Sequence, residues 1–169
     1  MTEQIHERVI FEATHPEEMK DWLQNGNMPS TDIRIFPEKA ADSVDRPHSE
    51  DSLFGYTLAE LSQGIAKLLN DEQVCVELDR TYLRLIPEPE KHAIYVYFDI
   101  MDVPEQKVQP TKDLYHRDRF ISELYEFCSG WYTKASELNP DLEENEWFQE
   151  IGEALAEAEE ALERNGFEL

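Results

Sequence analysis

Three short segments in the middle of the chain each carry apolar side chains at every second position. They span residues 74–79, 82–86 and 93–100. A period of two is typical of β-strands that bury one face of a sheet. The connections, at Arg80 and across 87–91, are too short to hold a crossover helix. The pattern therefore predicts a three-strand antiparallel meander.

The N-terminal region predicts one or two further strands with a helix between them. Residues 5–13 and 32–36 contain the apolar clusters expected of strands. Between them, Thr14 and Glu17 form a capping box, in which each side chain satisfies a free amide at the start of a helix. Asn25 and the glycine after it are a usual helix stop. We expect these strands to join the meander in one sheet.

Three more helices are predicted from apolar residues recurring every three or four positions. The first opens at a second capping box, Thr57 with Glu60. The other two run from near Asp113 to Leu138 and from near Leu142 to Arg164, and an Asn-Pro turn joins them into a hairpin. The predicted fold is therefore α+β: an antiparallel sheet with helices, including this C-terminal helical hairpin, packed on one face.

The length of 169 residues suits one domain, and we predict a single acidic α+β domain over 1–169. Residues 37–52 are polar, include two prolines and predict a mobile loop. Residues 103–111, also with two prolines, predict an extended linker. No internal repeat divides the chain.

The charge excludes several classes of partner. The chain has 38 acidic and 15 basic residues, a formal net charge of −23. Nucleic acid and anionic membranes are recognised by positive charge, so direct binding to either is not expected. The start lacks a basic region followed by an apolar run, and no segment has the length of apolar residues needed to span a bilayer. We expect a cytoplasmic protein.

Recognisable catalytic chemistry is absent from the sequence. No glycine-rich phosphate loop, metal-ligand spacing or nucleophile motif occurs, and we predict no catalytic, metal or cofactor site. Cys128 falls on an apolar helix stripe and predicts a core residue. Cys75 points away from the apolar strand face, and its reactivity stays open. The histidines are scattered: His6, His15, His48, His92 and His116.

One cluster runs against the general charge. A basic patch is predicted between the meander and the first long helix, formed by Lys107, Lys112, His116, Arg117 and Arg119. Such a patch can hold an anion or an acidic partner. It more often pairs with the protein's own carboxylates, which are abundant here.

The acidic excess is concentrated at the C-terminal end. Residues 137–169 hold twelve acidic residues and one basic residue, Arg164, a net −11. On the last helix the glutamates recur three and four residues apart, so its outer face is predicted to be a strip of carboxylates that repel one another. We predict that a partner is contacted through the final helix and through an aromatic face of the sheet. The predicted partner-binding residues are Glu146, Glu150, Glu153, Glu157, Glu160, Tyr95, Tyr97 and Trp147.

Several functions fit this distribution. In size, charge and predicted architecture the chain resembles immunity proteins and antitoxins that block basic nuclease toxins. This resemblance implies a non-enzymatic inhibitor that neutralises a basic protein partner, either a toxin or a nucleic-acid-binding protein. The chain is also similar to phage-encoded inhibitors that mimic the charge of DNA. Alternatively, the acidity keeps the protein soluble in a high-salt cytoplasm. A fourth hypothesis is an enzyme whose site assembles from dispersed residues: Glu77, Arg84, Asp99 and Asp102.

Overall fold

The computed structural model describes residues 4–31, 33–38, 52–78, 81–100 and 111–169. Within these residues the chain folds into four α-helices, a mixed five-stranded sheet and two small two-stranded sheets, so the predicted α+β class is confirmed. The helices are α1 (Pro16–Gln24), α2 (Phe54–Leu69), α3 (Arg117–Leu138) and α4 (Glu146–Arg164). The strands are β1 (Ile5–His6), β2 (Val9–Ala13), β3 (Ser30–Thr31), β4 (Ile33–Pro37), β5 (Ser52–Leu53), β6 (Val74–Glu77), β7 (Thr81–Glu88), β8 (Ala93–Ile100) and β9 (Thr111–His116).

The large sheet has the strand order β1-β9-β8-β7-β6. The predicted meander is present, since β6, β7 and β8 pair antiparallel in sequence order. It continues into β9, which also pairs antiparallel with β8. On its other side β9 pairs parallel with β1, where Ile5 lies opposite Leu114. The sheet is therefore mixed rather than purely antiparallel.

The predicted N-terminal strand divides into two elements that belong to different sheets. β1 joins the large sheet, whereas β2 pairs antiparallel with β4 in a separate two-stranded sheet. A third pair joins β3 to β5. Of the predicted loop 37–52, residues 39–51 lie outside the described residues, as do residues 103–110 of the predicted linker.

The first long helix begins at Arg117 and not near Asp113, because Thr111–His116 forms strand β9. Leu114 and Tyr115 point to opposite faces of the strand and are both buried. Because both residues are buried, the strand lacks the alternation of apolar and polar residues that marks a half-exposed strand. Leu114 also fits the helical period of α3, so the sequence pattern extended the helix too far toward its start. The helix cap is unusual as well: the side chain of His116 accepts a hydrogen bond from the backbone amide of Arg119.

The other helix starts also differ from the capping-box predictions. α2 begins at Phe54, so Thr57 lies inside the helix and is buried. α1 begins at Pro16, so His15 and not Thr14 occupies its N-cap position, and the His15 side chain makes no capping hydrogen bond. The second long helix is preceded by a short 3-10 helix, Pro140–Glu144, whose Leu142 is buried, and α4 itself begins at Glu146.

The main core lies on one face of the large sheet. Val74, Leu85 and Val96 are neighbours across three strands and are buried against the helices. α2 covers this face, and α3 and α4 pack on α2 in turn. The contact between α2 and β6 is close: a Cβ atom placed on Gly64 would lie 2.9 Å from Cγ1 of Val74.

This close approach predicts opposite effects for the same substitution in two helices. Gly64→Ala should lower the free energy of unfolding by about 1–3 kcal/mol, because a methyl group would overpack the contact with Val74. Gly130→Ala should instead raise it by up to about 1 kcal/mol, because a Cβ there meets no described atom within 4 Å and alanine is the better helix former. Urea unfolding at pH 7 measures both values. Equal effects of the two substitutions would contradict the packing of α2 on β6.

Candidate functional site

The outer face of α4 is a row of exposed carboxylates, here called the α4 carboxylate face. All five of its residues are exposed: Glu146, Glu150, Glu153, Glu157 and Glu160. The opposite side of the helix is fixed to the core by a stripe of buried residues that includes Phe148, Ile151, Leu155 and Leu162. The orientation of these side chains follows from the helical period of the apolar residues.

No ion pair joins the α4 carboxylate face to a lysine or arginine within the described part of the chain. The negative charge of α4 also affects the pKa of a neighbouring side chain on α3. Burial raises the pKa of the Tyr125 hydroxyl, and the charges of Glu159 and Glu163 raise it further. α4 therefore presents negative charge that the described basic residues leave uncompensated.

The three aromatic residues predicted to bind a partner do not join this face. Tyr95 and Tyr97 are half-buried and point to the side of the large sheet away from α2. Because α2 lies between the sheet and α4, these tyrosines are on the opposite side of the molecule from the carboxylates. Trp147 packs into the core, where its ring contacts Phe148 and lies over Gly55.

A second cluster of charged groups surrounds Arg117 at the start of α3. Its guanidinium group donates from Nη1 to Oδ1 of Asp118 (2.8 Å) and from Nη2 to the carbonyl oxygen of Leu69 (3.1 Å). The Nε atom lies 3.6 Å from Oδ1 of Asp71. His92 completes the group, with Nε2 3.2 Å from Oδ2 of Asp118. We call Asp71, His92, Arg117 and Asp118 the Arg117 cluster.

Two members of the Arg117 cluster have left-handed backbone conformations. Asp71 has a φ angle of 57° and His92 one of 51°, the only such non-glycine residues in the described part of the chain. Such conformations cost energy and persist where neighbouring contacts enforce them. Here the backbone amide of Arg117 donates to the carbonyl oxygen of His92 (3.0 Å). The cluster thus holds together the end of α2, the β7–β8 turn and the start of α3.

The Arg117 cluster accounts for part of the predicted basic patch. Arg117 is bound to two carboxylates, and Nε of Arg119 lies 3.6 Å from Oε2 of Glu7. His116 packs edge-on against His92, with ring centroids 5.4 Å apart, and caps α3. Lys107 and the side chain of Lys112 lie outside the described part of the structure. The arginines of the patch are therefore paired within the protein itself.

The ionisation of Asp118 is set by these contacts. Burial alone would raise the pKa of its carboxyl group, but hydrogen bonds and charges from His92 and Arg117 outweigh burial and lower the pKa. A histidine hydrogen-bonded to a carboxylate, as His92 is to Asp118, can transfer protons. Metal binding is a separate question: among the described residues, no group of three histidine, cysteine or acidic side chains is arranged to hold a metal ion.

A third titratable group lies where β1 meets β9. Nε2 of His6 is 3.6 Å from Oδ1 of Asp113, and the rings of His6 and Tyr115 are 5.5 Å apart. Burial raises the pKa of Asp113, and the charge and hydrogen bond of His6 act against this. Burial and the charge of Asp113 raise the pKa of Tyr115, whose hydroxyl has no hydrogen-bond partner among the described residues. The arrangement fastens β1 to the sheet.

The sequence did not predict these clusters, because their members are far apart in the chain and match no motif. The left-handed backbone of His92, directly after the 3-10 helix Pro89–Lys91, is a local feature of the cluster, but it is visible only in the structure. Two of the four residues of the enzyme hypothesis are described: Glu77 and Arg84 lie on neighbouring strands, β6 and β7, and on the same face of the sheet. Glu77 is exposed and Arg84 is half-buried on the outer side of the sheet, while Asp102 and the side chain of Asp99 lie outside the description.

The two cysteines have opposite environments, as predicted for Cys128. Its side chain is fully buried and hydrogen-bonded to Ser62, and burial raises the pKa of the thiol to about 12. Cys75 is exposed on strand β6. The nucleophilic form of a cysteine is the thiolate. Cys128 is therefore unreactive for two reasons: its side chain is buried, and its raised pKa keeps the thiol protonated.

Titration with Ellman's reagent at pH 8 should therefore detect one reactive thiol in the folded protein and two after unfolding in guanidinium chloride. Cys75→Ser should remove the folded-state signal, because the remaining thiol is buried. Reaction of both thiols at one rate in the folded protein would show that Cys128 is accessible.

Asp118→Asn should lower the free energy of unfolding by roughly 0.5–1 kcal/mol at pH 6, a small effect because the carboxyl group is partly exposed. The pKa of Asp118 is lowered by folding, so its contribution is complete above the ordinary pKa near 4 and is lost as the pH falls through the lowered value. The difference from wild type should be constant above about pH 5 and should narrow as the pH falls below about 4 in urea unfolding. Asp21→Asn, at an exposed helix position, is the matched control. A difference that stays constant with pH would contradict the role of Asp118.

Comparison with known proteins does not assign a function to these surfaces. No family model, no curated protein and no solved structure matches the chain. Within the described residues, no helix has the length and apolar character needed to cross a membrane.

Proposed function

We propose that this chain is a non-enzymatic binding protein of the inhibitor or immunity type, which neutralises a basic protein partner in the cytoplasm. The observation that carries the proposal is the α4 carboxylate face, whose five glutamates are exposed and unpaired by described lysines or arginines. Carboxylates of one sign aligned on a rigid element attract an oppositely charged partner over several ångströms and orient it before contact.

The rigidity of α4 supports this role. A helix whose glutamates repel one another is held in place by its buried stripe, so the backbone positions that carry the charges are already formed when no partner is bound. A preformed helix needs no backbone ordering on binding, which favours affinity and specificity. The proposal is confined to this face, because Tyr95 and Tyr97 lie on the other side of the molecule.

The spacing of the charges favours a partner that ordinarily binds nucleic acid. Seven glutamates lie between Glu146 and Glu163, a length of roughly 25 Å at 1.5 Å per residue. The mean spacing along the axis is about 4.2 Å per negative charge, comparable with the 3.4 Å per charge of a single DNA strand. A protein surface that neutralises phosphates would therefore meet a comparable charge density on α4. This observation supports the hypothesis that the protein mimics the charge of DNA.

The proposal is tested by reversing charge on α4. The triple variant Glu150→Lys, Glu153→Lys and Glu157→Lys should slow association with a basic probe protein about tenfold or more in roughly 20 mM salt. The probes are a linker histone and a basic ribonuclease, mixed with the protein in a stopped-flow fluorimeter. At about 0.5 M salt the difference should largely disappear, because the Debye length is then only about 4 Å.

The matched control distributes the same change in net charge over three other surfaces: Glu18→Lys, Glu72→Lys and Glu90→Lys, all at exposed positions. This variant should slow association less than about threefold. Circular dichroism confirms that both variants fold. Equal slowing by the two variants would show that total charge, rather than the α4 carboxylate face, controls association, and the proposal would fail. Competition by duplex DNA for the linker histone tests the mimicry.

A further inference from the structure

The glycines within the helices have different surroundings. A Cβ atom on Gly55 would lie 2.6 Å from the ring of Trp147, and one on Gly152 would lie 2.7 Å from the hydroxyl of Tyr132. Gly64 is similarly close to Val74. At these three positions a side chain has no room, because another element packs against the helix backbone. Close packing therefore explains each of them.

Gly130 on α3 has no such explanation. It is exposed, and a Cβ atom there would meet no described atom within 4 Å. Glycine is the poorest helix former apart from proline, so its place in the middle of a long helix is unfavourable without a compensating contact. Its effect on the surface is to leave a hollow beside the neighbouring side chains of α3.

This hollow is part of an open groove between α1 and α3 with a volume of about 410 Å³. A volume of this size is within the range of small-molecule sites. We call it the α1–α3 groove; it is lined chiefly by Pro16, Lys20, Phe127, Gly130, Trp131 and Lys134.

The floor of the groove is aromatic and preformed. The rings of Phe127 and Trp131 both meet the buried ring of Phe54 edge-on, at centroid distances of 6.4 and 5.5 Å. Phe127 also packs against Phe11 at 5.7 Å. These contacts fix the two aromatic side chains while leaving each partly exposed to the groove. A flat or acyl group can therefore bind without first ordering the site.

The walls of the groove carry two ammonium groups in a protein of net charge −23. Lys20 lies on α1, 3.0 Å from a carboxylate oxygen of Glu17. Lys134 lies on α3, exposed and without an ion pair among the described residues. Glu126 also lines the groove and disfavours a ligand of high negative charge. The combination favours one anionic group joined to an apolar body.

We propose that the α1–α3 groove binds a small amphiphile with an aromatic or acyl body and a single carboxylate or sulfonate group. The body lies on Phe127 and Trp131 over the backbone of Gly130, and the anionic group faces Lys134. This site is independent of the proposed function, because it lies on a different helix from the α4 carboxylate face.

The probe for this proposal is anilinonaphthalene sulfonate, which combines aromatic rings with one anionic group. Fluorescence titration and calorimetry of the folded protein should show one saturable site, from which decanoate displaces the probe. Gly130→Leu fills the hollow and should weaken binding tenfold or more. Gly130→Ala, which adds only a methyl group, should weaken it less than threefold.

The anionic contact is tested at Lys134. Lys134→Glu should weaken binding about fivefold, and Lys134→Arg should restore it to within twofold of wild type, because the charge is kept. Circular dichroism and thermal unfolding check that each variant is folded. The triple α4 variant should bind the probe as the wild type does.

Three results would overturn the proposal. The first is probe binding that Gly130→Leu leaves unchanged, which would place the probe elsewhere. The second is the absence of a saturable site at millimolar probe. The third is concentration-dependent dimerisation, measured by analytical ultracentrifugation, that Gly130→Leu abolishes, because the groove would then hold a second copy of the chain.

Discussion

Helix α2 is buried around most of its circumference, with one exposed stripe formed by Tyr56, Glu60, Gln63 and Lys67, and the other elements are arranged around it. Leu61, Ile65 and Leu68 have no exposed surface, and even Thr57 and Ser62 are buried. One side of the helix packs on the sheet through Gly64, and the other sides meet α3 and α4. A helix that is apolar around most of its circumference requires a cover over each of its apolar sides. This requirement places α4 in the outer layer with its charged side toward solvent.

The balance of energies on α4 explains how such an acidic helix persists. Each like-charge pair three or four residues apart costs about 0.2–0.5 kcal/mol. Burying a side chain such as Phe148, Ile151 or Leu155 contributes about 1.5–3 kcal/mol. Packing therefore exceeds repulsion by a wide margin, and the helix can carry a strip of carboxylates without internal cations. The acidic surface is thus compatible with a stable fold.

The elements that could be predicted from the sequence are those in which one face is buried and the other is exposed. The alternation in β6, β7 and β8 and the stripe of α4 are of this kind, and both were predicted correctly. β9 was missed because both of its faces are buried, and the start of α2 was misplaced because Thr57 and Glu60 imitate a helix start within the helix.

Sites that depend on distant residues were beyond the reach of sequence patterns. The exposed carboxylates of α4 follow directly from helical spacing, since they lie opposite a local apolar stripe. The Arg117 cluster joins Asp71, His92 and Asp118 from three separate elements, so no spacing reveals it. The role of Gly130 was equally hidden, because a helical glycine is informative only when its neighbours in space are known.

The parallel pairing of β1 with β9 has a consequence for the order in which the chain folds. Ile5 and Leu114 are neighbours in the sheet although roughly 110 residues separate them in the chain. Closing so long a loop costs more chain entropy than forming the β6–β7 hairpin, whose strands are adjacent in sequence. We expect the hairpin ribbon to assemble early and the N-terminal segment to dock last, which makes that segment the first part of the sheet to detach in partial unfolding.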